Sequence, residues 1–229
     1  MDFFEAIKAR RSIRKYTSKP VPSEVIQKAL DAALLAPNSS NLQTWEFYWV
    51  KSVSKKAALI KYCLDQSAAR TAQELVVIVA NPALWKKTNP KMAEFVKSIK
   101  APNLVLNYYE KLVPFTYGVW YLGPLKWIFF QLIGLFRPMT RGPASILGLQ
   151  EVSIKSAALA AENFMLAISA QGYATCPMEG MDECRVKRLL KLPFWSRVVM
   201  VISVGEADPQ KGTWGPQVRF DREWFVKEV

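Results

Sequence analysis

Apolar residues recur at helical spacing in some stretches of the chain and crowd together in strand-like runs in others. Phe3, Phe4 and Ile7 share one face of a short N-terminal helix, with Asp2 placed as its N-cap. A second helix opens at Ser23, read as its cap. Glu24 lies in its first turn, and Val25, Ile26, Ala29, Leu30, Ala33 and Leu34 form its inward face. Pro37-Asn38-Ser39-Ser40-Asn41 then breaks the pattern as a loop. Trp45 to Lys51 reads as a strand and Leu75 to Ala80 as a buried one, being almost all aliphatic. The clearest amphipathic helix runs from Ser153 to Ala170, through Ile154, Ala157, Ala158, Ala161, Phe164, Met165 and Ile168, and Gly172 suits its end. A short strand at Tyr173–Cys176, a helix from Asp182 to Leu190 and a core strand from Arg197 to Val204, closed by Gly205, complete the reading. Helices and strands interleave throughout, which predicts an α+β sandwich in which helices flank a sheet. One domain is expected over residues 1–229, with an atypical apolar insertion at about 82–150.

Within that insertion, Leu112 to Phe136 carries a single charge, Lys126, and is interrupted by Pro114, Gly118, Gly123, Pro124 and Gly134. A spanning helix needs about 20 continuous apolar residues, so a regular transmembrane helix is not expected here. The segment suits a lid over a pocket, a buried dimer arm, or a surface that dips into a bilayer.

Composition narrows the chemistry. A chain that is 51% hydrophobic and 12% aromatic is not a disordered one. Histidine is absent altogether, which removes the commonest general base, the Ser-His-Asp and Cys-His arrangements and any histidine-based zinc site. The chemistry must therefore reside mainly in something bound. A net charge of +12 favours anionic partners such as phosphates, nucleotides or acidic lipid, although a basic surface also serves solubility alone. The cations are spread along the chain in no nucleic-acid-binding motif, and no nucleic-acid partner is expected. Cys63, Cys176 and Cys184 form no C-x-x-C pair, which suits a reducing cytoplasm, and the N-terminus has no apolar run of a secretory signal.

Three clusters could carry binding. Arg10, Arg11, Ser12 and Arg14 can clamp a phosphate and spare a cation for a second anionic group, but a solvated basic helix end would look the same. The amides and hydroxyls of Asn38, Ser39, Asn41 and Gln43 can bind a polyol or a polar ring edge, or simply form a turn. Pro177-Met178-Glu179-Gly180 joins a strand to a helix and could turn backbone N–H groups and an apolar plate toward a flat ring. Tyr117, Trp120, Tyr121 and Trp127 could stack on an aromatic ligand or pack the core. Cys176 reads as a small buried residue or a redox thiol.

In this order and spacing, RRSIRKY, PVPSEVIQKALDAALLAPNSSNLQTWEF, AALAAENFMLAISAQGYATCPMEG and LLKLPFWSRVVMVISVGEAD resemble the nitroreductase family of flavoproteins, over roughly residues 2–80 and 150–207. The resemblance implies an intertwined homodimer of α+β sandwiches, each with a central, mainly antiparallel sheet, holding FMN at the subunit interface. It implies an enzyme that takes hydride from NADH or NADPH and passes it to a nitroaromatic, a quinone or a similar flat acceptor. Specialised relatives that dehalogenate, reduce activated alkenes or reduce flavins are the alternative, as is a membrane-associated binding protein without catalysis. By the family's pattern, Arg10, Arg11 and Ser12 bind the FMN phosphate and ribityl end, and Arg14 approaches the ring edge that gains negative charge. Pro37, Asn38, Ser39 and Asn41 come from the partner subunit, while Pro177, Met178, Glu179 and Gly180 lie over the ring. Arg219 is the candidate for a C-terminal phosphate cation, and Gln66 or Arg70 stands where relatives often place a further flavin contact. The insertion follows no pattern quoted for the family, so the acceptor is the least determined part of the reading. A cytoplasmic enzyme is expected, with possible membrane-surface contact through 112–136.

Overall fold

The computed structural model describes residues 2–118, 122–140 and 142–229. Its centre is a four-stranded antiparallel sheet of β1 (Trp45–Trp49), β2 (Glu74–Ala80), β3 (Ala174–Met178) and β4 (Arg197–Gly205), in the order β1-β2-β4-β3. Alternate side chains of β2 point to opposite faces, as the two-residue period of a strand requires. Val76, Ile78 and Ala80 meet α2 (Ser23–Leu34) and α9 (Ile146–Ala170) on one face. Leu75, Val77 and Val79 meet α3 (Val53–Tyr62), α4 (Ser67–Thr71) and α10 (Glu183–Leu190) on the other. A bulge after Ile78 shifts the register with β4, and so Val198 and Val201 fall on the same face.

The ends of the elements follow local chemistry. Asp2 caps α1 (Phe3–Ala9) in a capping box, accepting from the Glu5 N–H at 2.9 Å while Glu5 accepts from the Asp2 N–H at 3.0 Å. Only Ala6 of α1 is buried; Phe3, Phe4 and Ile7 stay exposed. Ser23 proves to be the first helical residue of α2 rather than its cap, because the fixed φ of Pro22 leads the chain in. Of the expected inward face of α2, Leu34 is exposed.

Helix α9 begins seven residues before the expected Ser153, at Ile146, with the Ser145 hydroxyl accepting from Gly148 N–H at 3.3 Å. It ends in a Schellman motif: Gly172 N–H donates to Ser169 O and Tyr173 N–H to Ile168 O, with Gly172 at φ +82°. Strand β3 extends two residues beyond the expected Cys176, because an edge strand tolerates the missing N–H of Pro177.

The insertion folds as α5 (Trp85–Ser98), α6 (Asn103–Asn107), a π-helical turn (Tyr108–Leu112), α7 (Val113–Gly118) and α8 (Gly123–Phe136). It has its own small core of Val96, Tyr109, Val113 and Tyr117, which joins the body through Leu42 and Leu149. Among the described residues no single helix is long and apolar enough to cross a membrane.

Candidate functional site

After α1 the chain runs extended along the β3 edge of the sheet. Ser12 bridges Thr175 in parallel, and Ile13 N–H donates to Thr175 O at 2.9 Å. Arg14 N–H donates to Gly212 O at 2.8 Å, Tyr16 N–H to the Thr71 hydroxyl at 3.1 Å, and Thr17 N–H to Glu206 O at 2.9 Å. Ile13 and Tyr16 are buried while Ser12 and Arg14 are exposed, so backbone pairing aims the polar side chains outward.

Two features behind this edge fix it. Tyr16 donates or accepts at 2.9 Å with the Ser203 hydroxyl, and its ring lies against Gly205, where a Cβ would come within 2.7 Å of it. Only glycine permits that approach. The turn Asp208–Gly212 meanwhile holds the backbone of Arg14 and Lys15. Asp208 accepts from the N–H groups of Gln210 and Lys211 at 2.9 Å each, and these donors hold its carboxyl below the usual range.

Arg10 and Arg11 line a cavity of about 220 Å³ closed by Ser169, Tyr173 and Thr175. Thr175 Oγ1 is buried there without a hydrogen-bond partner among the described residues. Arg10 Nε lies 3.6 Å from Glu162, and Arg11 donates to Gly215 O at 2.8 Å. Arg14 comes close enough to Cys176 that its guanidinium partly offsets the upward push of burial on that thiol. Cys176 is fully buried, which is the packing reading of that residue.

At the far end of β3, Glu179 and Gly180 are exposed and Pro177 half-buried, but Met178 is sealed in the core. The apolar plate expected of Met178 is therefore absent, since the alternation of β3 turns it toward α10. Gln66 secures this loop: its amide donates to Gly180 O at 2.7 Å and to Cys63 O at 3.1 Å. Asp182 N–H donates to Tyr62 O at 2.8 Å as α10 begins.

The Pro37–Asn41 loop lies elsewhere, leading into β1 at the opposite edge of the sheet. Three inter-strand steps, or about 14 Å, separate the two edges. Ser39 and Ser40 bond the hydroxyls of Tyr117 and Tyr108 at 3.1 and 2.5 Å, and the Asn41 amide approaches Met92 Sδ at 3.4 Å. Ser40, Asn41 and Gln43 all hold positive φ, a concentration of backbone strain typical of binding loops. A hollow of about 430 Å³ opens beside Ser39 and Ser40, walled by Tyr108, Phe115, Phe130 and Met139. Tyr117 is buried against Trp85 and Trp127 is half exposed; Trp120 and Tyr121 lie outside the described residues. Arg219 is exposed and donates to its neighbour's carbonyl, Val218 O, at 2.8 Å. Thr175 gave no signal in the sequence, because nothing there marks a strand threonine as unpartnered.

The nitroreductase family model matches residues 7–206. The protein DrgA of Synechocystis sp. is 26% identical over 207 residues, covering 90% of this chain and 84% of its own length. A protein of Exiguobacterium sibiricum solved in complex with FMN superposes with a TM-score of 0.74 at 23% identity, over 100% of this chain and 98% of its own. The NADPH:FMN oxidoreductase of Vibrio harveyi, complexed with NAD+, does so with a TM-score of 0.65 at 21% identity, over 99% of this chain and 76% of its own.

Proposed function

Because the chain belongs to the nitroreductase family, we propose that it is an FMN-dependent oxidoreductase that moves hydride from NADH or NADPH to a flat electrophilic acceptor. The observation that carries this reading is the extended Arg10–Arg14 run laid along the β3 edge, with Arg10 and Arg11 at the cavity beside its first residues and Arg14 near Cys176, just before the Pro177–Gly180 loop. The residues present fit the cofactor. A cavity lined by two arginines among small apolar residues, with Thr175 and its unpartnered buried hydroxyl in the wall, is cationic and of the size of a phosphoryl end rather than a whole mononucleotide. FMN, when bound, supplies the two-electron chemistry, with the protein supplying binding and orientation.

The roles of the residues follow from their chemistry. Arg10 and Arg11 offer fork-like donors to a phosphate, and the Ser12 hydroxyl adds another. Arg14 brings a positive charge near Cys176, just before the loop, where it stabilises negative charge on a ligand. Gln66 and the α10 cap hold Glu179 and Gly180 in place. Asn38, Ser39 and Asn41 stand at the opposite sheet edge, and that separation supports a homodimer in which a second copy brings its loop to this chain's arginines. We read the chain as one domain with the insertion at about 82–150 as the acceptor wall. The aromatic hollow beside Ser39 and Ser40 supports flat acceptors such as nitroaromatics or quinones. Three free thiols, two of them buried, support a reducing, cytoplasmic setting.

The test is an absorbance spectrum of the purified protein through the near ultraviolet and visible, followed by anaerobic addition of NADPH and then NADH. Two flavin bands that bleach with either nucleotide are expected. A colourless protein that also fails to take up added FMN would overturn the reading.

A further inference from the structure

Beyond the hollow beside Ser39 and Ser40, the insertion presents an outer surface that the proposed flavin chemistry does not use. Helix α8 is apolar on every side, yet its one charged residue faces inward. Lys126 is buried and donates to Thr116 O at 2.7 Å, beside buried Gly123 and Phe130. The outward face carries Leu125, Ile128, Phe129, Leu132, Leu135 and Phe136, all exposed, at helical spacing along one stripe. Leu135 and Phe136 are 74% and 89% exposed, values ordinary for lysine or glutamate on a helix in water and costly for leucine and phenylalanine. A helix whose charge turns in and whose large apolar residues turn out is built to face something other than water.

The surface continues past α8. Phe115 lines three hollows at once: the 430 Å³ hollow beside Ser39, a groove of about 740 Å³ walled by Leu104, Tyr108 and Leu112, and a smaller one of about 270 Å³ shared with Leu125 and Phe129. Contiguous apolar area of this extent marks an interaction site.

Charge chooses the occupant. Lys111 lines the large groove, and Arg137 closes α8 at its C-terminus, both exposed. From Lys97 to Arg137 the exposed charges are the cations Lys97, Lys100, Lys111 and Arg137 against one carboxylate, Glu110. A two-fold contact between copies through this face would bring the cations of one copy toward those of the other, whereas phospholipid phosphates complement them. With 14 residues α8 is about 21 Å long, short of a hydrocarbon core of about 30 Å, and so suited to lie in the interface rather than cross it. Trp127, half exposed, is the residue type favoured at headgroup depth.

We propose that α6, α7 and α8 form a docking surface for the anionic face of a lipid bilayer, with the outward stripe of α8 set among the acyl chains and Lys111 and Arg137 against headgroup phosphates. The surface binds reversibly, without spanning.

Co-sedimentation of the full chain with phosphatidylcholine vesicles, with and without phosphatidylglycerol, tests it. Binding to the anionic vesicles is expected, weakened by salt. Lys111→Glu with Arg137→Glu should lower the affinity by about thirtyfold. Leu132→Asp with Leu135→Asp, both at exposed positions, should lower it by at least about tenfold while thermal stability stays unchanged. Bromolipid quenching of tryptophan fluorescence should fall in Trp127→Phe. Three outcomes would overturn the proposal: absence of binding to either vesicle, binding indifferent to the leucine pair, or a leucine pair that dissociates an oligomer in sedimentation velocity. The last would assign the face to a second copy of the chain.

Discussion

Cys63 shows how a single side chain ties packing to pH. It is fully buried beneath β2 with Leu59, Ala68 and Ala69, and that burial pushes its thiol from 9.0 up to about 11. The folded state therefore binds the proton more tightly than the unfolded chain does. Stability from this group is fully present below pH 9.0 and is lost as the pH rises toward about 11. Two pKa units correspond to about 2.7 kcal/mol. Urea titrations of the wild type and of Cys63→Ala across that window should diverge in slope: the variant starts less stable, for want of the sulfur, but loses about 2–3 kcal/mol less on the way up. Parallel curves would mean that the thiolate forms without cost and that the site admits water. Tyr16, whose hydroxyl burial also raises, shifts both proteins alike and leaves the difference to Cys63.

At the scale of elements, what was legible in the sequence was what obeys one period. The strands β2 and β4 and the second half of α9 are aliphatic at regular spacing, and they stand where that spacing puts them. The first turns of α9 escaped because Gly148 and Gln150 interrupt its apolar face, Gln150 being buried for its bond to Trp195 O at 2.9 Å. The insertion helices escaped for two further reasons. Pro90 sits inside α5, where a proline reads as a break, and the π-turn at Tyr108–Leu112 throws α6 and α7 out of a common 3.6-residue register. Of the proposed site, the sequence offered residue types in order, Arg10 to Arg14 above all, and the pairing of that run with β3 needs only an extended segment beside a strand. The site's support was not legible, since Gln66 reaches Gly180 across 114 positions of sequence. Gln66→Leu keeps the volume and removes the one bond to the loop, at Gly180 O, together with the local bond to Cys63 O. FMN affinity, read by quenching of flavin fluorescence, should fall by about tenfold, the equivalent of one lost hydrogen bond, with little change in thermal stability. An unchanged affinity would show that the Pro177–Gly180 loop is ordered without its anchor.

For the whole molecule the decisive fact is that the two halves of the proposed site occupy opposite edges of one sheet. Ser12 and its neighbours lie outside β3, and the Pro37–Asn41 loop leads into β1. A rigid four-stranded sheet does not fold its edges together, so either one half is idle or each site is completed by another chain. The tail favours the second: Trp214, Phe220, Trp224 and Phe225 are all exposed, a concentration of aromatic surface that water does not favour. The two cases separate in a mixing experiment. Arg10→Ala with Arg11→Ala disables one half, and Asn38→Ala with Asn41→Ala disables the other; each variant alone should bind FMN weakly. After the two are mixed and allowed to exchange subunits, half of the dimers at random reassortment carry one of each. In a shared-site dimer each such hybrid has one site with both halves damaged and one with both intact, so about a quarter of wild-type FMN binding returns. If the arginines and the asparagine loop of one chain served the same site, every site in the mixture would keep its lesion and nothing would return.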